Sequence, residues 1–420
     1  MNEKRNPWWF IPSLYFAEGV PYVLINTASV ILYKRMGVDN ASLAFWTSWL
    51  YLPWVIKMFW GPLVDVVSTR RRWVLGTQAA MAACLGLAAL SLQTPAFFFL
   101  SLLAFTVGAF ISATHDIAAD GYYMLALDDK QQAFFVGIRS TFYRLAMIFG
   151  SGFLVYLAGR LETGTGNIPL SWTLVLALSA VLFLVLPVYH KVVLPKPASD
   201  AAKPASAAEG GVAFVEVIAS YFRQEKIAAT LAFILLYRFG EAMLVKLASP
   251  FLLDSQAAGG LGLATSQVGI VYGTVGIASL VVGGILGGWL ISRYGLKRCI
   301  WPMAFLLNAP DLFYVYMAYA QPPVFMTGVL VAFEQFGYGV GFTAFTVYLM
   351  ERASLSSYKT SHFAISTGIM ALGMMLPGFV SGWLQQKVGY PAFFIIVCAT
   401  TLPGLLTIPF LPLERKAEAS

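Results

Sequence analysis

"GPLVDVVSTRRRW", residues 61–73, and "GGWLISRYGLKRC", residues 287–299, are two versions of one pattern. In each, a glycine stands four residues before an acidic or small polar position, Gly61 before Asp65 and Gly288 before Ser292, and a basic cluster follows. The offset between Gly61 and Gly288 is 227 residues. A second pair agrees: "LYFAEG" carries Glu18 and "LYRFGEA" carries Glu241, an offset of 223. Two loci that agree to about one turn of helix are what a duplicated unit would give. Duplicated helical units build membrane transporters whose substrate site is expected between the halves.

Composition says what surrounds the repeats. Hydrophobic residues make up 59% of the 420, charged residues only 11%, and mean hydropathy is +0.73. A soluble domain carries about 25% charged residues. The chain is therefore read as an all-α integral membrane protein, since its apolar runs match the roughly 20 residues that cross a bilayer as a helix. Barrel strands would alternate apolar and polar positions, and these runs do not.

Spans are expected at 8–33, 42–64, 73–93, 96–121, 133–159, 170–190, 227–253, 266–292, 299–320, 323–350, 360–385 and 390–412, twelve helices in all. Residues 1–190 would form one six-helix bundle and 227–420 a pseudo-symmetric second. Residues 191–226 would be a cytoplasmic linker, Pro/Ala/Ser-rich in its first half and amphipathic in its second. With both termini in the cytoplasm, eighteen of the 27 Lys and Arg residues fall on the inner side and only Lys34, Arg35, Arg160 and Lys387 on the outer, which sets the orientation. The same bias explains the +7 net charge without nucleic acid. The first apolar run is too long for a cleavable signal and holds Glu18, so it is expected to stay in the inner membrane. Cys84, Cys299 and Cys398 have no metal spacing, and no metal or cofactor is expected. No G-x-x-x-x-G-K-[ST] loop is present to couple ATP, so a secondary carrier is expected, working as a monomer in the lipid bilayer.

The second loop copy, with Gly288, Arg293, Gly295, Lys297 and Arg298, resembles the loop signature of the major facilitator superfamily, with Ser292 in place of its Asp. The first copy keeps Gly61 and Asp65 but spaces its arginines differently. Within that superfamily, "AEGVPY" (17–22), "YLPWVIKMFWGPLVD" (51–65), "SATHDIAADGYY" (112–123) and "FEQFGYGVGFTAFTVYLM" (333–350) resemble the AmpG-type muropeptide permeases. The resemblance implies the major facilitator fold and alternating access, with the loops making charged contacts that hold the outward-open state. It also implies import of a cell-wall sugar fragment together with protons. Carriage of a siderophore or an acyl-CoA, known among relatives of that group, is the alternative.

The charges inside the spans are the candidate machinery, because ionisable side chains in a bilayer are costly and by default functional. Glu18, Lys57, Asp116, Arg139, Arg144, Arg238, Glu241, Lys246, Asp311 and Glu334 must face a polar cavity or one another. Asp116 and Asp120, four apart, lie about 40° from each other on one helix face. Arg139 and Arg144, on the next helix, are the expected partners of a gate network at the inner end. Glu18 stands alone near mid-depth, beside Gly19 and Pro21, whose missing N–H loosens the helix. That position suits a carboxylate that loads and unloads a proton. Glu334 and then Asp116 follow it as proton-coupling candidates, while Glu241 is expected to pair with Arg238. Tyr15, Tyr22, Trp49 and Trp54, with Arg238 and Glu241, are the candidate substrate contacts. His190 and His362 lie near helix ends and are expected to be solvated.

Two other classes compete. His115 and Asp120 spell H-x-x-x-x-D, the pattern of certain membrane acyltransferases in which an aspartate orients a general-base histidine. On a helix the two diverge by about 140°, so they are not expected to meet. Such an enzyme would also leave the duplicated halves unexplained, while a structural or receptor-like membrane protein is the reading that a lack of uptake by reconstituted vesicles would favour.

Overall fold

In the computed structural model, residues 6–61, 64, 67–197, 200 and 216–413 are described, and helix occupies all twelve expected spans. They are α1 (Pro7–Arg35), α2 (in pieces Asn40–Ser48, Trp49–Tyr51, Leu52–Ile56 and Lys57–Phe59), α3 (Arg70–Ser91) and α4 (Phe97–Ala126). Next come α5 (Lys130–Thr165), α6 (Ile168–Val193), α7 (Ile227–Leu253) and α8 (Thr265–Tyr294). Then follow α9 (in pieces Leu296–Asn308, Ala309–Asp311 and Leu312–Ala320), α10 (Val324–Ser354), α11 (residues 359–388) and α12 (residues 390–410). No strand occurs among the described residues.

Among the described residues, nine helices are long and apolar enough to cross a membrane. One of the nine, Ser361–Phe410, holds both α11 and α12, divided at Gly389, whose φ of 75° is a conformation that favours glycine. α2 and α9 fall outside the nine because each is broken. α2 changes to a tighter helix at Trp49–Tyr51, just before Pro53, and again at Lys57. α9 is interrupted at Ala309–Asp311, where Pro310 has no N–H to give. α4 runs to Ala126 rather than to residue 121, because the chain does not turn until Asp128 accepts from the Gln131 N–H and caps α5. Large apolar side chains such as Phe99, Leu103, Leu184, Ile285 and Phe325 are exposed, which costs nothing against lipid tails.

The chain divides into two compact units. The first comprises Met1–Asp39, Trp49–Ala205 and Ala264–Thr274; the second comprises Asn40–Ser48, Ser206–Leu263 and Val275–Ser420. The first therefore includes the start of α8, and the second the first piece of α2. In the first unit, α5 and α8 approach backbone to backbone, so that a Cβ on Gly152, Gly159, Gly269 or Gly273 would strike the facing helix. Small residues permit that approach in a membrane, where apolar side chains gain nothing by leaving lipid. α1, α5 and α8 each carry a π-helical stretch in this unit's packing: Leu24–Ala28, Ile148–Leu154 and Gly269–Gly276. The first begins three residues after Pro21, as the loosening expected there would allow.

Around Phe10, Leu14, Tyr15, Ala118, Tyr122 and Tyr123, α1 and α4 form a buried core in the first unit. The core of the second unit joins Phe233, Tyr237, Met303, Phe345 and Tyr348, with the Tyr237 and Phe345 rings stacked at 5.4 Å. Residues 216–222 of the expected linker are helical, and Tyr221 bonds Ser366 of α11 at 2.9 Å.

Candidate functional site

α4 presents its two carboxylates to different neighbours in the first unit. Asp120 Oδ1 accepts from Tyr15 OH of α1 at 2.8 Å and from Arg139 Nη1 of α5 at 2.9 Å, and Arg139 Nη1 also donates to Tyr15 OH at 2.8 Å. The Arg139 guanidinium lies 5.0 Å from the Tyr15 ring centre and 5.1 Å from that of Tyr123, which fixes it between two aromatic faces. One turn along α4, Asp116 Oδ2 accepts from Trp54 Nε1 at 3.0 Å and lies 3.8 Å from Lys57 Nζ, both on α2. Four helices thus meet at two acids.

Glu18 lies one turn along α1 from Tyr15, and its Oε2 is buried without a hydrogen-bond partner. Its electrostatic neighbours are Asp120, Asp116, Lys57 and Arg139. The aromatic candidates Tyr22 and Trp54 pack edge to face at 5.1 Å, with Tyr143 of α5 6.4 Å from Tyr22. Trp49 is 42% exposed.

Several expectations need correction. Arg144 does not enter the gate network: its recorded contact is with Met147 Sδ at 3.6 Å, and no acid reaches it among the described residues. Five residues after Arg139, it points about 140° away around the helix. Lys57 supplies the cation at Asp116 instead. Arg238 and Glu241 feel each other's charge but make no hydrogen bond. Arg238 stands outside the helical conformation at the start of Phe239–Leu253, so the three-residue spacing of a continuous helix does not apply. Its guanidinium lies 5.0 Å from the Tyr338 ring and 4.7 Å from that of Phe342, and it donates to Tyr338 OH. Both Glu241 oxygens are buried and without partners.

Glu241 instead belongs to a group that the sequence did not assemble. Asp311, at the break in α9, feels the charges of Glu241 and Glu334, and neither of its oxygens has a hydrogen bond. Glu334 accepts from Gln335 Nε2 at 3.1 Å and from Tyr314 OH at 3.5 Å. All three residues are fully buried in the second unit. The one available signal was Asp311 beside a proline inside an apolar run.

The histidines are not solvated: His190 is 0% exposed and His362 1%. His190 bonds Gln78 of α3 and Ser13 of α1, at 2.9 Å each, and the same Gln78 reaches His115 Nε2 at 3.1 Å. His115 is thus held by α3 while Asp120 is held by α1 and α5, so the two do not form a dyad. His362 binds Ser220 at 2.9 Å and Gln224 at 3.0 Å, tying the linker helix to α11.

Of the loop motif, Asp65 lies outside the described residues. Gly61 stands where α2 ends, and Asp200 of the linker accepts from the Arg70 and Arg71 N–H groups at 2.7 and 3.1 Å, capping α3. In the second copy, Gly288 lies on α8 and Gly295 ends that helix with a φ of 78°. Arg293 packs over Trp289 and Tyr294, and Lys297 and Arg298 lie in the first turn of α9, with no acidic partner among the described residues.

Comparison with known proteins agrees with this architecture. The model of the Major Facilitator Superfamily matches residues 13–358. The anhydromuropeptide permease of Escherichia coli K12 is 26% identical over 402 residues, covering 94% of this chain and 77% of the relative. A Rickettsia conorii protein named putative transporter AmpG 4 is 24% identical, covering 95% and 94%. A solved D-xylose-proton symporter superposes with a TM-score of 0.73 at 13% identity, covering 97% of this chain and 98% of its own.

Proposed function

The chain belongs to the Major Facilitator Superfamily, and on that premise we propose that this multi-pass membrane transporter is a proton-coupled importer of a cell-wall sugar fragment. The observation that carries the reading is likeness across 94% of the chain to a permease named for anhydromuropeptides. The acids of the first unit support the coupling. Glu18 has an unpartnered oxygen beside two acids that already hold cations, so it is the group whose charge state is left to vary. Asp116, Asp120 and Arg139 would act as the gate that responds to it, and Glu334 remains the second candidate for the proton. Tyr15, Tyr22, Trp49 and Trp54 would line the path of the sugar. The protein would work as a monomer by alternating access in the inner membrane, with both termini cytoplasmic.

Uptake by protein-loaded vesicles tests the reading, with amino sugars, muropeptides and siderophores offered with and without a pH gradient. Gradient-driven uptake of a muropeptide or amino sugar is the expected result. Uptake of siderophores alone would refute the substrate, and uptake indifferent to pH would refute the coupling.

A further inference from the structure

Away from the helix ends, six charged side chains lie within the spans of the first unit: Glu18, Asp116, Asp120, Lys57, Arg139 and Arg144. Two ion pairs account for four of them, Lys57 with Asp116 and Arg139 with Asp120. Glu18 and Arg144 are left. An arginine keeps its charge under all ordinary conditions, and within a bilayer a charged side chain pairs or faces a water-filled cavity. Arg144 lies about 20 Å along α5 from Lys130, at about 1.5 Å per residue, too far from either end of the helix for its side chain to reach a headgroup. Its position is therefore that of a cation held inside the protein without an acid.

Its surroundings suit a ligand. Further along α5, beyond the π-helical stretch that begins at Ile148, Gly273 of α8 lies against Ser151. A face of α5 is covered by α1, with Gly19 against Tyr143 and Ala146, and Gly150 against Val23. Tyr143, next to Arg144 in the chain and within reach of its charge, continues into the Tyr22 and Trp54 rings. A half-buried guanidinium thus stands beside an aromatic cluster.

We propose that Arg144 binds a carboxylate of the transported ligand, with the Tyr22–Trp54–Tyr143 cluster receiving the ring that bears it. This rests on the transport function proposed above and adds the charge class of the substrate. A planar guanidinium holds a carboxylate through two parallel bonds. A single leftover cation matches a monoanion better than a phosphate monoester, which carries about −1.5 to −2 charges. The proposal also links substrate to proton. With Glu18 ionised, the six side chains sum to zero; with Glu18 protonated they sum to +1, and a bound carboxylate restores neutrality. Each therefore favours the other. The groups facing Glu18 in that balance are Tyr15 on α1, Lys57 on α2, Asp116 and Asp120 on α4, and Arg139 and Tyr143 on α5.

Binding of three probes to the purified full-length protein tests this: N-acetylglucosamine, N-acetylmuramic acid, which adds a lactyl carboxylate to the same ring, and free lactate. The expected wild-type preference for the acid sugar is roughly tenfold to a hundredfold, the range of a charged hydrogen bond. Arg144→Gln removes the preference while leaving affinity for the neutral sugar unchanged. If the Gln variant does not fold, Arg144→Lys keeps the charge but loses the fork, and the preference falls several-fold. The same preference in either variant, or equal binding of both sugars to the wild type, overturns the proposal. If neither sugar binds but lactate stabilises the protein through Arg144, the glycan reading fails and the anion site stands. If lactate also does nothing, the site itself is refuted.

Discussion

Replacing Glu18 by Gln should separate exchange from accumulation. Asp116 and Asp120 would each have to give up a cation to take a proton, at 3.8 Å and 2.9 Å respectively, whereas Glu18 Oε2 has no bond to lose. One such carboxylate corresponds to one proton per cycle. Coupling one proton to one substrate makes each unit of pH gradient worth about 1.4 kcal/mol, or about tenfold in accumulation. Wild-type vesicles under a gradient of about two units, at zero membrane potential, should therefore concentrate the substrate about a hundredfold. Glutamine keeps the volume and the hydrogen-bonding capacity of a protonated glutamate, so Glu18→Gln should bring the ratio to about one while counterflow exchange continues, because exchange requires no net proton release. The assay is radiolabelled uptake of whichever substrate the vesicle screen identifies, paired with counterflow in the same preparation. Accumulation of about tenfold or more by Glu18→Gln would show that the proton travels elsewhere. Glu334→Gln is the parallel control and should still accumulate substrate.

Gln78→Leu takes the hydrogen-bond partner from His115 Nε2 and from His190 Nδ1, leaving His190 only its bond to Ser13, and thermal unfolding should show a loss of about 2–6 kcal/mol, from about 1–3 for each orphaned buried nitrogen. Gly273→Val puts a side chain against the Ser151 carbonyl, where α5 and α8 touch; overpacking of roughly 1–3 kcal/mol should lower the melting temperature. Asp311→Asn removes a buried carboxylate whose oxygens have no hydrogen bond and whose charge neighbours are the acids Glu241 and Glu334, and should raise the melting temperature. Single cysteines in Arg70→Cys and Lys297→Cys should resist an impermeant thiol reagent in intact cells, and efficient labelling would reverse the proposed orientation.

The twelve helices were legible because a bilayer leaves the backbone little choice. A long apolar run must satisfy its own N–H and C=O groups, so its length gives the helix. What was not legible depends on contacts between distant segments. That the first piece of α2 belongs to the second unit follows from close packing on α11: the Asn40 carbonyl lies against Gly382 and the Ser48 Oγ against Gly378, where any side chain would collide. No spacing along the chain encodes that choice. The histidines failed for a related reason. Proximity to a helix end suggests water, but the side of α6 on which His190 lies faces Gln78 and Ser13.

Charge partners divide along the same line. Helix periodicity correctly set Asp116 and Asp120 on one face and brought Arg139 to one of them, because antiparallel neighbours joined by a short loop share depth. It could not offer Lys57, which comes from a helix remote in sequence. The repeat was informative about backbone and misleading about chemistry. Glu18 and Glu241 lie 223 residues apart in matching sequence contexts, yet Glu18 stands among acids held in ion pairs, whereas Glu241 stands beside Asp311, with Arg238 near it but not hydrogen-bonded to it. Shifted by 227, Lys57 falls on Gly284, so the second unit has no cation at the place where the first holds Asp116. A duplication preserves apolar periodicity because both copies face the same lipid, but nothing in the bilayer requires the two copies to keep the same internal charges. On the proposed mechanism, an exchangeable proton linked to an anionic ligand can then reside in the first unit, where opposite charges balance.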